Sequence, residues 1–302
     1  MVKFKVIVLG RGDEIKLERC LKSLENQTYS NYDVCIIDDA TYPKKMREQG
    51  VQAGNREAYQ SVAMKYCNKY SNWILKVNDE RKYGALNHLQ AISLLNCRDE
   101  DVIVDLDADD YLFSNYSLEI VNDYYEQNSN NLTPYNQIET EVWLTFGSHI
   151  LLSNHMVYPN IEIHQQYVKY KEMYNHIIDD LKYSPPFNID KNHPGNYALR
   201  TYKYFLWKNI SSKDFMIDDK LIHRGEDKIY MKAMMEMAGC NWVSIPQLLY
   251  VYDDINVKKY ELDDWYAKLG FETQKDIKVF KRKLKLKLVE DWKQFPLIHN
   301  GG

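Results

Sequence analysis

Over residues 1–113 the chain alternates short, wholly apolar runs with stretches whose apolar positions recur at helical spacing. Residues 5–9 are the first apolar run and predict a strand. Leu17, Cys20, Leu21 and Leu24 then fall at i, i+3, i+4 and i+7, one face of a helix. Residues 34–37 predict a second strand, closed by Asp38 and Asp39. A helical stretch with Ala58, Val62 and Tyr66 on one stripe follows, then a strand over 73–77. Ala85, Leu86, Leu89 and Ile92 mark a further helix, and residues 102–104 a further strand. Apolar strands separated by amphipathic helices predict a mostly parallel central sheet with helices on both faces. In such α/β sheets ligands bind beyond the carboxyl ends of the strands. Asp38, Asp39, Asp107, Asp109 and Asp110 all stand at such ends, so they are expected to converge on one crevice.

The second half is less regular. Residues 126–139 are polar and read as a loop, and 142–146 as a strand. Residues 184–196 hold Pro185, Pro186, Pro194 and Gly195 and read as a long loop, expected to order when a ligand binds. Helices are expected over 197–208 and 227–238, and extended chain over 242–245 and 248–252. Trp73, Trp143, Trp207 and Trp242 are expected in the core. Residues 275–293 carry Ile277, Phe280, Leu284 and Leu288 at helical spacing among Lys278, Lys281, Arg282, Lys283, Lys285 and Lys287. That is a C-terminal amphipathic helix, either packed on the domain or making peripheral contact with an anionic membrane surface.

Bulk properties narrow the classes. The chain has 302 residues, 45% of them apolar, which is enough for a sizeable core. A net charge of −4 gives no bulk argument for a nucleic-acid partner. No run approaches the roughly 18 apolar residues of a membrane span. The first ten residues read as a strand, not a signal peptide. Cys20, Cys35, Cys67, Cys97 and Cys240 are scattered and lack CxxC spacing, so a reduced, cytoplasmic protein is expected.

Candidate chemistry centres on residues 102–110, where Val-Ile-Val runs into Asp105, Asp107, Asp109 and Asp110. Carboxylates are rarely buried unless paired or ligating metal. Oxygen ligands alone suit a hard divalent ion, Mg²⁺ or Mn²⁺, which keeps positions open for substrate phosphates. An EF-hand loop starting at Asp105 would need Gly and Glu where Asp110 and Tyr116 stand, which excludes it. A haloacid-dehalogenase-like phosphatase remains as a rival, although Asp109 stands where such enzymes have Thr.

Five ordered blocks carry a family resemblance. Residues 17–29 resemble the "LxRCLxSLxxQTY" helix and turn of family 2 glycosyltransferases, and residues 34–41 their "IIVVDDGS" strand. Residues 82–87 resemble "KxxALN", and Asp107-Ala108-Asp109-Asp110 the "DxDD" metal motif. Gly225-Glu226-Asp227, then Ile245-Pro246 and Leu249-Tyr250, resemble "GED … vPxxLYxY". The resemblance covers about residues 4–252 and implies a GT-A fold, Rossmann-like, over residues 1–255. Residues 1–113 would form its nucleotide-sugar half, 114–255 its acceptor half, and 256–302 a helical extension.

By position, the resemblance implies that Gly10, Asp39, Lys82 and Asp107 contact the nucleotide-sugar. It implies that Asp109 and Asp107 ligate Mn²⁺ or Mg²⁺ with Asp110 in support, and that Asp227, with Glu226 as the alternative, is the general base. The implied activity is metal-dependent, inverting transfer from a nucleotide-diphospho-sugar, UDP favoured over GDP or dTDP, to a glycan, lipid-linked or protein acceptor. A non-catalytic nucleotide-sugar or glycan-binding module on the same fold is the alternative. Two departures stand out. Gly10-Arg11-Gly12-Asp13 replaces the family's Pro-Thr-Tyr-Asn-like loop, and Ala40 its usual glycine. His193, in a Pro/Gly loop, and His223, three residues before Glu226, are within sequence reach of the expected site, but for either one a loop or surface histidine is the better reading.

Overall fold

In a computed structural model, the description covers residues 1–41, 55–126, 141–153, 155, 157–158, 198–222, 225–238, 241–255, 279 and 283. The strands are β1 (Phe4–Gly10), β2 (Tyr32–Asp38), β3 (Trp73–Val77), β4 (Val102–Asp107), β5 (Tyr111–Leu112), β6 (Leu144–Leu151), β7 (Val157–Tyr158), β8 (Arg200–Lys203), β9 (Met216–Ile217), β10 (Lys220–Leu221) and β11 (Trp242–Tyr252). The helices are α1 (Glu14–Glu25), α2 (Arg56–Lys69), α3 (Tyr83–Leu95), α4 (Ser117–Glu126), α5 (Tyr204–Trp207) and α6 (Glu226–Ala238). A nine-stranded sheet runs in the order β3-β2-β1-β4-β8-β6-β11-β5, with β7 on β6; β9 and β10 form a separate pair. β3, β2, β1 and β4 are parallel, as are β6 and β11, while β8 runs antiparallel to both of its neighbours.

Successive residues of each central strand point to opposite faces. Val6, Val8, Val34, Ile36, Val102, Val104 and Leu106 join one core with Leu17, Leu21 and Leu24 of α1, Tyr59 and Tyr66 of α2, and Val121 of α4. Ile7, Cys35, Ile37 and Ile103 join the other with Ile92 of α3, Trp207 of α5 and Met234 of α6. Both faces are thus covered, as the continuous apolar strands require. Asp13 caps α1 by accepting from the Lys16 N–H at 3.0 Å, and Asn55 caps α2 by accepting from the Ala58 N–H at 3.3 Å.

Several expectations need correction. The face α2 buries is Tyr59, Ala63 and Tyr66, so Ala58 lies off the stripe by one position. α3 buries Asn87 and His88, while Leu86 and Leu89 are only partly covered. The expected helix over 197–208 is a strand, β8, followed by one turn, α5. Arg-Thr-Tyr-Lys sits between β4 and β6, where ladder bonds on both sides override helical spacing. α4 carried no sequence expectation. Residues 242–252 are one strand with two register shifts rather than two segments. Trp73, Trp143 and Trp207 are buried, and Trp242 is partly so. The loop over 184–196, His193, His223 and Cys240 lie outside the described residues, as do all of residues 275–293 but 279 and 283. Among the described residues, no helix is long and apolar enough to cross a membrane.

Candidate active site

The carboxyl ends of β1, β2 and β4 lie side by side. Their acidic residues divide into two groups. Asp38 is fully buried and accepts from the Thr41 N–H at 2.9 Å and from Gln60 Nε2 at 3.1 Å, so it fixes the turn after β2. That turn needs Ala40 at φ 58, the left-handed region, which accounts for the glycine usual at this place. Asp39 accepts from Lys82 N–H at 2.7 Å, Tyr83 N–H at 3.1 Å and Asn78 Nδ2 at 3.1 Å. It therefore fastens the entry to α3. The Lys82 ammonium donates to Gln90 Oε1 at 2.8 Å, along its own helix. Asp110 is buried and accepts from Tyr250 Oη at 2.6 Å and the Asp253 N–H at 2.7 Å, which ties the end of β11 to the β4 turn.

The second group faces outward. Asp107 is half-buried and Asp109 exposed, on a turn closed by the Asp110 N–H donating to Asp107 O at 3.0 Å. Ala108 packs so tightly on Gly10 that a Cβ added there would lie 2.2 Å from Ala108 Cβ and 2.4 Å from Tyr59 Oη. Gly10 thus lets β1 approach this turn. Burial pushes the Asp107 carboxyl up to about 6; Asp109 and Asp227 add to the shift, Arg200 and His88 oppose it.

Glu226 and Asp227 open α6. Glu226 presses on α3: a Cβ on Gly84 would lie 1.5 Å from Glu226 Oε1. Its other oxygen, Oε2, is buried without a hydrogen-bond partner. Burial, and then Asp227, push this carboxyl up to about 7. Asp227 Oδ2 instead accepts from Arg200 Nη1 at 3.2 Å, and its Oδ1 from the Lys228 N–H at 2.9 Å.

Asp105, one β-repeat before Asp107, shares its face of β4 and meets the other condition for a buried carboxylate, pairing within the protein. It is buried beneath Tyr202 Oη at 3.1 Å, Tyr230 Oη at 2.6 Å and His88 Nε2 at 3.2 Å, with Arg200 Nε at 3.9 Å. Burial alone would raise its pKa, but His88, Arg200 and Tyr230 hold it below the ordinary carboxylate range. Protein cations and hydroxyls therefore neutralise Asp105. Sequence reasoning missed His88, Arg200, Tyr202 and Tyr230. Reading residues 200–203 as a strand would have put Arg200 and Tyr202 on one face.

Asp107 and Asp109 suit a hard cation. They are two carboxylates on one turn, both with pKa raised, first by burial and then by neighbouring carboxylates. Among the described residues, no group of three or more His, Cys, Asp or Glu side chains forms a closed metal site. Two carboxylates with the remaining positions left to water and phosphate fit Mg²⁺ or Mn²⁺.

The profile of glycosyl transferase family 2 matches residues 6–177, more than half of the chain. The chain belongs to glycosyl transferase family 2. Its fold is GT-A. The matched span holds the Asp107–Asp110 turn and stops short of Glu226 and Asp227. Solved structures agree in fold. S. aureus TarS (1–349) with UDP-GlcNAc has a TM-score of 0.55 at 15% identity, over 85% of this chain and 60% of that one. The same protein with UDP has a TM-score of 0.53 at 16% identity, over 83% and 60%. The mannosyltransferase PcManGT from Pyrobaculum calidifontis, in complex with GDP-Man and Mn²⁺, has a TM-score of 0.51 at 14% identity, over 97% and 65%. The transferase thus spans under two thirds of each of these neighbours. No curated protein sequence matches it.

Proposed function

We propose that this transferase moves a sugar from a nucleoside-diphosphate donor to an acceptor hydroxyl with inversion at the anomeric carbon. The observation that carries this reading is the mutual electrostatic effect of two carboxylate pairs, Asp107 with Asp109 at the end of β4 and Glu226 with Asp227 at the start of α6: Asp227 acts on Asp107, and Asp107 on Glu226. One pair suits a cation and a diphosphate, and the other a proton. The neighbours' UDP, UDP-GlcNAc and GDP-Man support a nucleotide-sugar donor, and the Mn²⁺ of one supports a divalent ion.

Asp107 and Asp109 would hold the ion. When bound, it supplies charge neutralisation of the departing diphosphate. Gly10, Asp39 and the Lys82–Tyr83 backbone shape the nucleotide side; Asp39 acts there chiefly by holding that backbone. Asp227 accepts the acceptor hydroxyl's proton as the acceptor oxygen bonds to the anomeric carbon. The anomeric C–O bond to phosphate breaks, and its electron pair leaves on the nucleoside diphosphate. Asp227 suits this role because Arg200 Nη1 donates to its Oδ2 at 3.2 Å and fixes its direction, whereas burial holds Glu226 toward its protonated form. The acceptor is a glycan, lipid-linked or protein hydroxyl.

Thermal-shift screening of UDP-, GDP- and dTDP-sugars with Mn²⁺ identifies the donor. Asp227→Asn then tests the assignment. It should leave donor and metal affinity near wild type and lower transfer by about 10²–10⁴-fold. Transfer at the wild-type rate moves the base to Glu226. Loss of donor binding makes Asp227 part of the nucleotide site.

A further inference from the structure

Arg200 reaches the site from a strand with no part in the five sequence blocks. β8 pairs antiparallel with β4, and Arg200 stands directly across from Asp105. Cross-strand partners share a face, so its guanidinium emerges beside Asp105 and under the first turn of α6. Its side chain is 11% exposed. Nε lies 3.9 Å from Asp105 Oδ2, and Nη1 donates to Asp227 Oδ2 at 3.2 Å.

Asp105 is itself immobilised by Tyr202, Tyr230 and His88, and His88 Nδ1 is 3.0 Å from Gly84 O. The chain of contacts therefore runs from the α3 backbone through His88 and Asp105 to Arg200, and ends on Asp227. Each member is buried or part-buried, so it is weakly screened by solvent. A planar guanidinium with five fixed donors spans two carboxylates in a way that a single ammonium cannot.

The geometry points to Arg200 as the positioning residue for transfer: braced by the Asp105–His88–Tyr202–Tyr230 cluster, it fixes the direction of the Asp227 carboxylate without touching the donor. This rests on the reading of Asp227 as the base. A carboxylate displaced by about 1 Å from its productive place is expected to lose on the order of 10²-fold in rate.

The test compares wild type, Arg200→Lys and Arg200→Gln in two measurements. One is calorimetric binding of UDP and GDP with Mn²⁺. The other is steady-state release of nucleoside diphosphate from UDP-GlcNAc and GDP-mannose, with and without added guanidinium chloride at millimolar concentration. The expected result is nucleotide affinity within about threefold of wild type for both variants, with kcat lowered on the order of 10²-fold for Arg200→Gln. Guanidinium should restore part of that rate and leave wild type unchanged. Arg200→Lys retains the buried positive charge and serves where the glutamine variant fails to fold; its kcat should fall while KM holds. Wild-type kcat in both variants overturns the role, as does loss of Mn²⁺-dependent nucleotide affinity, which would place Arg200 on the donor side with Asp107. A wild-type protein that releases no nucleoside diphosphate from these two donors, nor from any other UDP-, GDP- or dTDP-sugar of the thermal-shift screen, overturns the underlying reading instead, and the role of Arg200 with it.

Discussion

Replacing Glu226 by glutamine removes a charge that the fold disfavours, and its effect on stability is expected to depend on pH. Burial first, then the neighbouring Asp227, raise the Glu226 carboxyl from 4.5 to about 7. Below about pH 4.5 the group is protonated in the folded and unfolded chain alike and contributes nothing. Between about 4.5 and 7 the folded protein keeps a proton that the unfolded chain releases, so stability falls as pH rises. Above about 7 the whole penalty is present. A shift of this size corresponds to something on the order of 3 kcal/mol. Glutamine has nearly the same shape and stays neutral throughout. Glu226→Gln should therefore match wild type near pH 4.5 and exceed it by about 3 kcal/mol at pH 8. Urea denaturation at both pH values, followed by tryptophan fluorescence with EDTA present, measures the difference. A stability change equal at both pH values would refute the reasoning, because Glu226 would then act through packing alone. A variant less stable at pH 8 would show that the charged form has a partner.

Further outcomes follow from the same geometry. Asp109→Asn should weaken Mn²⁺-dependent nucleotide binding by tenfold or more in calorimetry, while Asp13→Asn, which keeps an N-cap side chain on α1, should leave it unchanged. Gly10→Ala puts a methyl group 2.2 Å from Ala108 Cβ and should cost about 1–3 kcal/mol of stability in urea denaturation. The same change should also weaken metal-dependent nucleotide binding, since Ala108 lies between Asp107 and Asp109. Gly84→Ala meets only the flexible end of Glu226 and gains about 1 kcal/mol of helix propensity. Its thermal stability should hold or rise while transfer falls, because the Glu226 carboxylate is displaced; loss of folding would mean that Glu226 cannot move.

Much of this protein was legible in the order of its residues. The strands over 5–9, 34–37, 73–77 and 102–104 and the helix carrying Leu17, Cys20, Leu21 and Leu24 follow from local periodicity, because each element buries a face set by its own spacing. The Asp107–Asp109 turn could be singled out because carboxylates at the end of an apolar run are costly without a partner, and the Glu226–Asp227 pair by its resemblance to the family's GED block. The partners themselves were not legible. Asp105 and Asp107 look alike in the chain, two positions apart on one strand face. Only the fold brings His88, Tyr202, Tyr230 and Arg200 onto the first and leaves the second facing the crevice. Asp38, Asp39 and Asp110 stand at strand ends like the other carboxylates, and only the structure shows that each also accepts from a backbone N–H. The strand identity of residues 200–203 has the same cause. A four-residue segment carries too little local preference to decide its state, and two neighbouring strands about a hundred and about fifty-five residues away in sequence supply the ladder that does. Sequence alone determined the parallel strands and most of the helices of the first half, and where charge accumulates. Long-range pairing decided which of those charges is neutralised and which remains available for chemistry.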